Sequence, residues 1–265
     1  MVELYLHIVI MSLLTSFVFI TLKLVSKFTR NTFSATWHYY SYSLLFTLFV
    51  IPLYNWLPVS AETAIPSFTL PVEDTTWSNM VLNPIAGTLL IGSFIYVTVH
   101  IVRYQNMQRK LREICTILSV EQHLEALEWS KKKLSIKREV IVYSSPYMTT
   151  PFIYGLWKPK IVLPPVSFTE EELRHIFLHE LMHYKRRDLC LKVVLTFIQA
   201  LHWFNPIAYM ARRDLDLYGE YSCDEKVTNE MVTSERKRYC ALLLRVIWNE
   251  IDQKHGYYMA MSQGA

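Results

Sequence analysis

His179 and His183, four residues apart with Glu180 beside the first, are the side chains best suited to do chemistry in this chain. On an α-helix they fall about 40° apart, one turn above the other, so both imidazoles can reach a single metal ion. Glu180 points about 100° away from His179, which is poor for a third ligand but suited to taking a proton from a metal-activated water. A five-residue pattern also arises by chance. Its weight depends on a helix to carry it, a third ligand and a place for substrate.

The helix has a defined start. Thr169 as N-cap with Glu172 three residues later makes a capping box, and Glu170 and Glu171 suit the positive end of a helix. Leu173, Ile176, Phe177, Leu181 and Met182 carry the pattern to Lys185, Arg186 and Arg187, cations that favour a helix C-terminus. His175, one turn before His179, extends the histidine stripe and reads as structural or solvated.

A third ligand is expected downstream. Residues 189–210 are apolar enough to resemble another span, but Asn205-Pro206 interrupts them, because proline removes a helix hydrogen bond and disfavours helical geometry before it. The uninterrupted part, about 189–204, is roughly 24 Å long as a helix, short of a hydrocarbon core of about 30 Å. We therefore expect a membrane-edge helix that turns at Asn205-Pro206 and returns as a second helix from about 206 to 229. That helix carries Glu220 and Asp224 at i, i+4 spacing, so Glu220 can ligate while Asp224 hydrogen-bonds the outer nitrogen of a ligand histidine. Tyr218, Tyr221 and His202 are weak candidates for stabilising the transition state.

Before the helix, 139–143, 150–155 and 160–164 read as short strands. Pro151, Pro159 and Pro164 argue against a central strand and for a sheet edge. Phe152, Ile153, Tyr154 and Gly155 are the candidate substrate edge, where an extended peptide is held by main-chain hydrogen bonds. A β-layer that only covers the helix is the plainer alternative. Ser130 to Lys133 fits S-x-x-K by letter, but neither S-D-N nor K-T-G accompanies it, so it reads as a solvated face.

Of the 265 residues, 52% are hydrophobic and only 19% charged, which points to a membrane protein with a soluble part. Spans are expected at about 3–22, 36–58 and 81–102, without the basic start and small-residue cleavage site of a signal peptide. Lys23, Lys27 and Arg30 follow the first run and Arg103, Arg109, Lys110 and Arg112 the third, while 59–80 holds Glu62, Glu73 and Asp74 and no Lys or Arg. The positive-inside rule puts 23–35 and everything after 103 in the cytoplasm, with the N-terminus and 59–80 outside. Residues 105–135 read as helices leaving the membrane surface, and Ser234–Ile251 as an amphipathic helix. The net charge of +4 is topological, with no basic stripe to suggest direct nucleic-acid binding. Four scattered cysteines without a C-x-x-C pair suit a reduced compartment.

Together these pieces resemble the BlaR/MecR-type membrane metalloproteases, the β-lactam sensor-transducers. The resemblance rests on Pro151-Phe152-Ile153-Tyr154-Gly155 with Pro159-Lys160-Ile161-Val162-Leu163-Pro164, on His179 to Tyr184 followed by Arg187-Asp188, on His202 to Pro206, and on Glu220 to Glu225. It covers essentially the whole chain. It implies a mainly α membrane protein: three N-terminal transmembrane helices over 1–104, then a cytoplasmic α+β gluzincin-like zinc protease domain over 105–265 with a small edge sheet. It also implies zinc on His179, His183 and Glu220 with Glu180 as base, self-cleavage, and a cytoplasmic transcriptional repressor of antibiotic-resistance genes as substrate. Such receptors continue into a further span and an extracellular penicillin-binding domain that this sequence does not include, so β-lactam recognition is expected only through that separate sensor. A homodimer is compatible with the sequence. The competing readings are a constitutive quality-control zinc protease and a non-catalytic membrane signalling fragment.

Overall fold

The computed structural model describes residues 2–51 and 76–263. In chain order the elements are α1 (Val2–Thr29), α2 (Ala35–Leu48), α3 (Thr76–Ile114), β1 (Thr116–Ile117), α4 (Glu121–Leu134), β2 (Ile141–Ser144), β3 (Phe152–Tyr154), β4 (Lys160–Leu163), α5 (Glu170–Arg186), α6 (Asp188–Leu201), α7 (Pro206–Thr228) and α8 (Thr233–Gln263). Contacts divide the chain into two units. One is Met1–Arg103 with Val193–Ser222, the other Tyr104–Lys192 with Cys223–Ala265.

Among the described residues, two helices are long and apolar enough to cross a membrane: His7–Thr29 over 23 residues, in the first unit, and Pro84–Ile114 over 31 residues, which begins in it. The helix of α1 continues to Thr29, so Lys23 and Lys27 ride its last turns instead of lying in a loop after residue 22. Cations are stabilised there by the helix dipole, and Lys23 is further held by Asp214 at 2.8 Å. The second expected span is helical only over Ala35–Leu48, 14 residues or roughly 21 Å, and its remainder from residue 52 lies outside the described residues. The expected outer loop 59–80 lies outside them up to residue 75. Residues 76–80 already belong to α3, since neither Gly nor Pro interrupts the chain before Pro84. The same helix runs past the expected end at 102 to Ile114 without a break.

Residues 202–205 turn α6 into α7, with Pro206 opening the second helix, where a missing N–H costs nothing. At 14 residues α6 is too short to cross a bilayer. Asn205 fixes the turn. Its Oδ1 accepts from the Ile207 amide at 2.9 Å, and its Nδ2 donates to the hydroxyls of Ser12 and Ser16 on α1 at 2.7 and 2.8 Å. Trp203 donates Nε1–H to the Leu89 carbonyl at 3.2 Å and lies so close to Gly92 that a Cβ there would meet the indole at 2.3 Å.

The second unit has a four-stranded sheet in the order β1-β2-β4-β3, with β2 and β4 parallel and the other pairs antiparallel. The two-residue strand β1 arises where the sequence reads as helix, because Thr116 and Ile117 find partners in Ser144 and Tyr143 far along the chain. The prolines also need a second reading. Pro159 and Pro164 lie just outside Lys160–Leu163, so neither removes a ladder donor and β4 sits inside the sheet; β3 is the edge. Gly155 closes the β3–β4 connection at φ +92°, with the Lys158 carbonyl only 2.3 Å from where a Cβ would stand.

The sheet and α4 cover α5. Ile161, Leu173, Phe177 and Leu181 are fully buried in one cluster with Leu127, Val142 and Leu242. Each such side chain contributes about 1.5–3 kcal/mol relative to exposure. Ser130 is buried, with its hydroxyl 2.8 Å from the Ala126 carbonyl and 3.2 Å from that of Arg174. Its role is to join α4 to α5.

Candidate functional site

The capping box of α5 is complete: the Glu172 amide donates to Thr169 Oγ1 at 3.3 Å, and the Thr169 amide to Glu172 Oε2 at 2.8 Å. At the other end Arg187 takes a left-handed conformation, φ 62°, and its amide bonds the carbonyls of His183 and Tyr184. The helix thus holds its full length through His179 and His183 and stops four residues beyond. Leu173, Ile176, Phe177 and Leu181 press on the core, while His179 and His183 are partly exposed.

Both imidazoles are held by their Nδ1 atoms. His183 Nδ1 lies 2.7 Å from Asp188 Oδ2. Asp188 is buried and also receives Arg186, through Nε at 2.7 Å and through Nη2. Burial alone would raise the Asp188 carboxyl, but the hydrogen bonds from His183 and Arg186 outweigh it and bring it down to about 2. His179 Nδ1 lies 3.0 Å from Asp224 Oδ1 and 3.0 Å from the Tyr239 hydroxyl, which donates to the same carboxylate at 2.7 Å. Burial first, then the charge of Asp224, pushes the Tyr239 hydroxyl far up, so it keeps its proton for that bond. A carboxylate can only accept, so each Nδ1 carries the proton and each Nε2 keeps its lone pair.

Those two lone-pair nitrogens face each other across 3.2 Å. Two nitrogens about 2.0–2.1 Å from one ion at a tetrahedral angle stand about 3.3 Å apart, so the pair fits a shared zinc-sized cation. Carboxylates on the outer nitrogens are what orient metal-ligating histidines and raise their basicity. Glu180 lies between them in sequence and is 8% exposed. His183, Asp188 and Cys223 also bring ligand atoms within 4.8 Å of one another. There, however, His183 and Arg186 already occupy both Asp188 oxygens, and Cys223 Sγ stands 3.5 Å from the proton-bearing Nδ1. That trio is a hydrogen-bonded support.

The other sequence candidates lie as follows. Glu220 is exposed on α7, one helical turn ahead of Asp224. His175 is buried with its ring edge-to-face on Tyr239 at 5.7 Å, a packing role. His202 is buried in the first unit with Nε2 3.0 Å from the Phe49 carbonyl, and Tyr218 stacks on His38 and Tyr42, so both rings are committed to packing. Tyr221 is 40% exposed. Phe152, Ile153 and Tyr154 form β3, the sheet edge against α5, followed by Gly155 at the turn.

Two contributors escape sequence reasoning as site residues. Asp188 stands five residues after His183, just past the C-cap, and an acid that close to a ligand histidine is a usable signal. Tyr239 is 60 residues from His179 and looks in sequence like one more apolar position of α8.

The chain is 24% identical over 202 residues to the regulatory protein BlaR1 of Bacillus licheniformis, covering 75% of this chain and 33% of that protein. It is 30% identical over 125 residues to the methicillin resistance mecR1 protein of Staphylococcus aureus, covering 46% of this chain and 21% of that one. The chain therefore spans a third or less of the length of these curated relatives. The profile of the BlaR1 peptidase M56 family matches residues 61–263, well over half of the chain, and the chain belongs to that family.

Proposed function

We propose that this chain is a membrane-bound zinc endopeptidase that transduces a β-lactam signal by proteolysis, cutting itself and a cytoplasmic transcriptional repressor of antibiotic-resistance genes. The observation that carries the reading is the His179–His183 pair, Nε2 to Nε2 at 3.2 Å with each Nδ1 held by a carboxylate, on a helix that also carries Glu180. The names of the relatives, a regulatory protein and a methicillin resistance protein, supply the signalling context.

In this reading His179, His183 and Glu220 hold zinc in the gluzincin manner. Glu220 is chosen because it precedes Asp224 by one turn of α7, and Asp224 is bonded to His179. When bound, zinc supplies Lewis acidity towards the scissile carbonyl and the attacking water. Glu180 accepts the proton of that water and passes it to the leaving amine. Asp188 and Asp224 hold the two rings, so the lone pairs need no reorientation. The edge at Phe152 to Gly155 receives the substrate backbone, and of the transition-state candidates Tyr218, Tyr221 and His202 only Tyr221 is exposed. The topology is multi-pass with the N-terminus outside. Residues 1–104 form the membrane region with α1, α3 and a span that starts with α2, and residues 105–265 form the cytoplasmic protease domain. The β-lactam acts through a separate sensor domain, and the chain makes no direct contact with nucleic acid.

The test is co-expression with a candidate repressor, wild type against Glu180→Ala, reading repressor size and bound zinc. We expect cleavage with wild type only and equal zinc in both. Cleavage by the Glu180→Ala protein would overturn the assignment.

A further inference from the structure

In the membrane-spanning unit, two cavities meet at His100, one apolar and one cationic. The apolar one, about 440 Å³, is a groove along α3 past Gly92, Ile95 and Val99, with Trp203 as a wall and Arg103 at its end. The other, about 450 Å³, is lined by Thr196, Gln199, Tyr209, Arg212, Arg213 and Asp216 besides His100. Gly92 is what allows the wall, since any side chain there would collide with the indole. The indole is fixed by its bond to the Leu89 carbonyl, and Tyr96 by its hydroxyl 3.4 Å from Gln199 Oε1. From Gly92 to Arg103 the helix rises about 16 Å, close to half of a hydrocarbon core of about 30 Å.

The charges at the polar end are unevenly matched. Arg212 is paired with Asp216 at 3.0 Å. Arg103 and Arg213 are exposed and have no carboxylate partner among the described residues. Arg103 at the end of the apolar groove and Arg213 in the cavity that adjoins it at His100 are complementary to an amphiphile with an anionic head. The groove lies on a helix that is itself a candidate span, with Ile91, Phe94 and Ile95 exposed beside it, so the amphiphile available there is a bilayer lipid.

We propose that this groove is a binding site for one anionic phospholipid, its acyl chain along Gly92 to Val99 against Trp203 and its phosphate between Arg103 and Arg213. This goes beyond the proteolytic reading and does not depend on it. A lipid wedged between α3 and the α6–α7 turn would tie the order of that turn to the lipid composition of the leaflet at the Arg103 end of α3.

The experiment is native mass spectrometry of the full chain released from detergent micelles, titrated separately with phosphatidylglycerol, phosphatidylcholine and inorganic phosphate. The wild type should retain one phosphatidylglycerol with at least about tenfold preference over phosphatidylcholine, because attraction to a net anionic headgroup is worth about 1 kcal/mol per arginine and the choline cation of phosphatidylcholine cancels it. The double variant Arg103→Gln, Arg213→Gln should lose that preference. Ile95→Trp, which fills the groove and leaves both arginines in place, should lower retention of both lipids; it decides the matter if the double variant loses its helical circular dichroism. Equal retention of the two lipids by wild type, an unchanged preference in the folded double variant, or unchanged lipid retention in Ile95→Trp would overturn the proposal. So would phosphate alone retained as well as phosphatidylglycerol.

Discussion

In the first unit His202 gives its Nε2 to the carbonyl of Phe49, whereas in the second His183 gives Nδ1 to Asp188 and turns Nε2 towards that of His179. Both rings are fixed by hydrogen bonds; they differ in which nitrogen is spent. Around His202 the polar groups close on one another: Asn205 on Ser12 and Ser16, Trp203 on Leu89, Thr15 on Leu48. Without water, helices in a bilayer are joined by such bonds and by close packing. Behind His179 and His183 stand the carboxylates of Asp224 and Asp188, and the two Nε2 atoms face each other. The second nitrogen of His202, Nδ1, is buried without a hydrogen-bond partner among the described residues, whereas that of His183, Nε2, faces the Nε2 of His179.

The largest effect that would break this contrast is expected from His183→Ala. It should abolish metal retention and lower proteolysis at least about a thousandfold, measured by metal content and a peptide cleavage assay, whereas His202→Ala should lower thermal stability and leave metal content intact. Asp188→Asn keeps the shape but removes the carboxylate behind His183. Metal affinity or activity should fall about 10- to 100-fold, by competition with a chromophoric chelator. Asn205→Leu sharpens the other side. Losing the bonds to Ser12 and Ser16 should cost about 1–2 kcal/mol by unfolding in detergent, with zinc content unchanged.

The smallest effect concerns acid. Burial would raise Glu172, but its bonds to Thr169 and Arg245 outweigh this and hold it below its ordinary value near 4.5. A carboxyl depressed in the folded state stabilises above that unfolded value, and its contribution is lost as pH falls through the lower folded value. Wild-type stability should therefore decline below about pH 4.5 through this cap, by roughly 1 kcal/mol, and Glu172→Gln should flatten that part of a pH series of thermal melts.

Elements announced by local chemistry were legible in the sequence. Thr169 and Glu172 mark the start of α5 and Asn205-Pro206 the turn into α7 because a cap or a proline acts within a few residues. Strand β1 and the interior place of β4 were not, since both depend on pairing across 28 and 19 residues, Thr116 with Ser144 and Ile141 with Lys160. The same holds in the site. The His179-Glu180-His183 spacing and the Glu220/Asp224 turn are readable from helix geometry alone. Tyr239 is readable only once α8 has folded back beside α5. The length of α3 was underread because charge after residue 102 ends a hydrophobic run but does not end a helix.

Zinc X-ray absorption on the purified chain tests whether His179 and His183 offer their Nε2 atoms to one zinc. One zinc per chain is expected, with imidazole nitrogens and carboxylate or water oxygens at about 2.0–2.1 Å and no sulfur. A sulfur at about 2.3 Å, which would bring in Cys223, or an unchanged spectrum in His183→Ala, would contradict it.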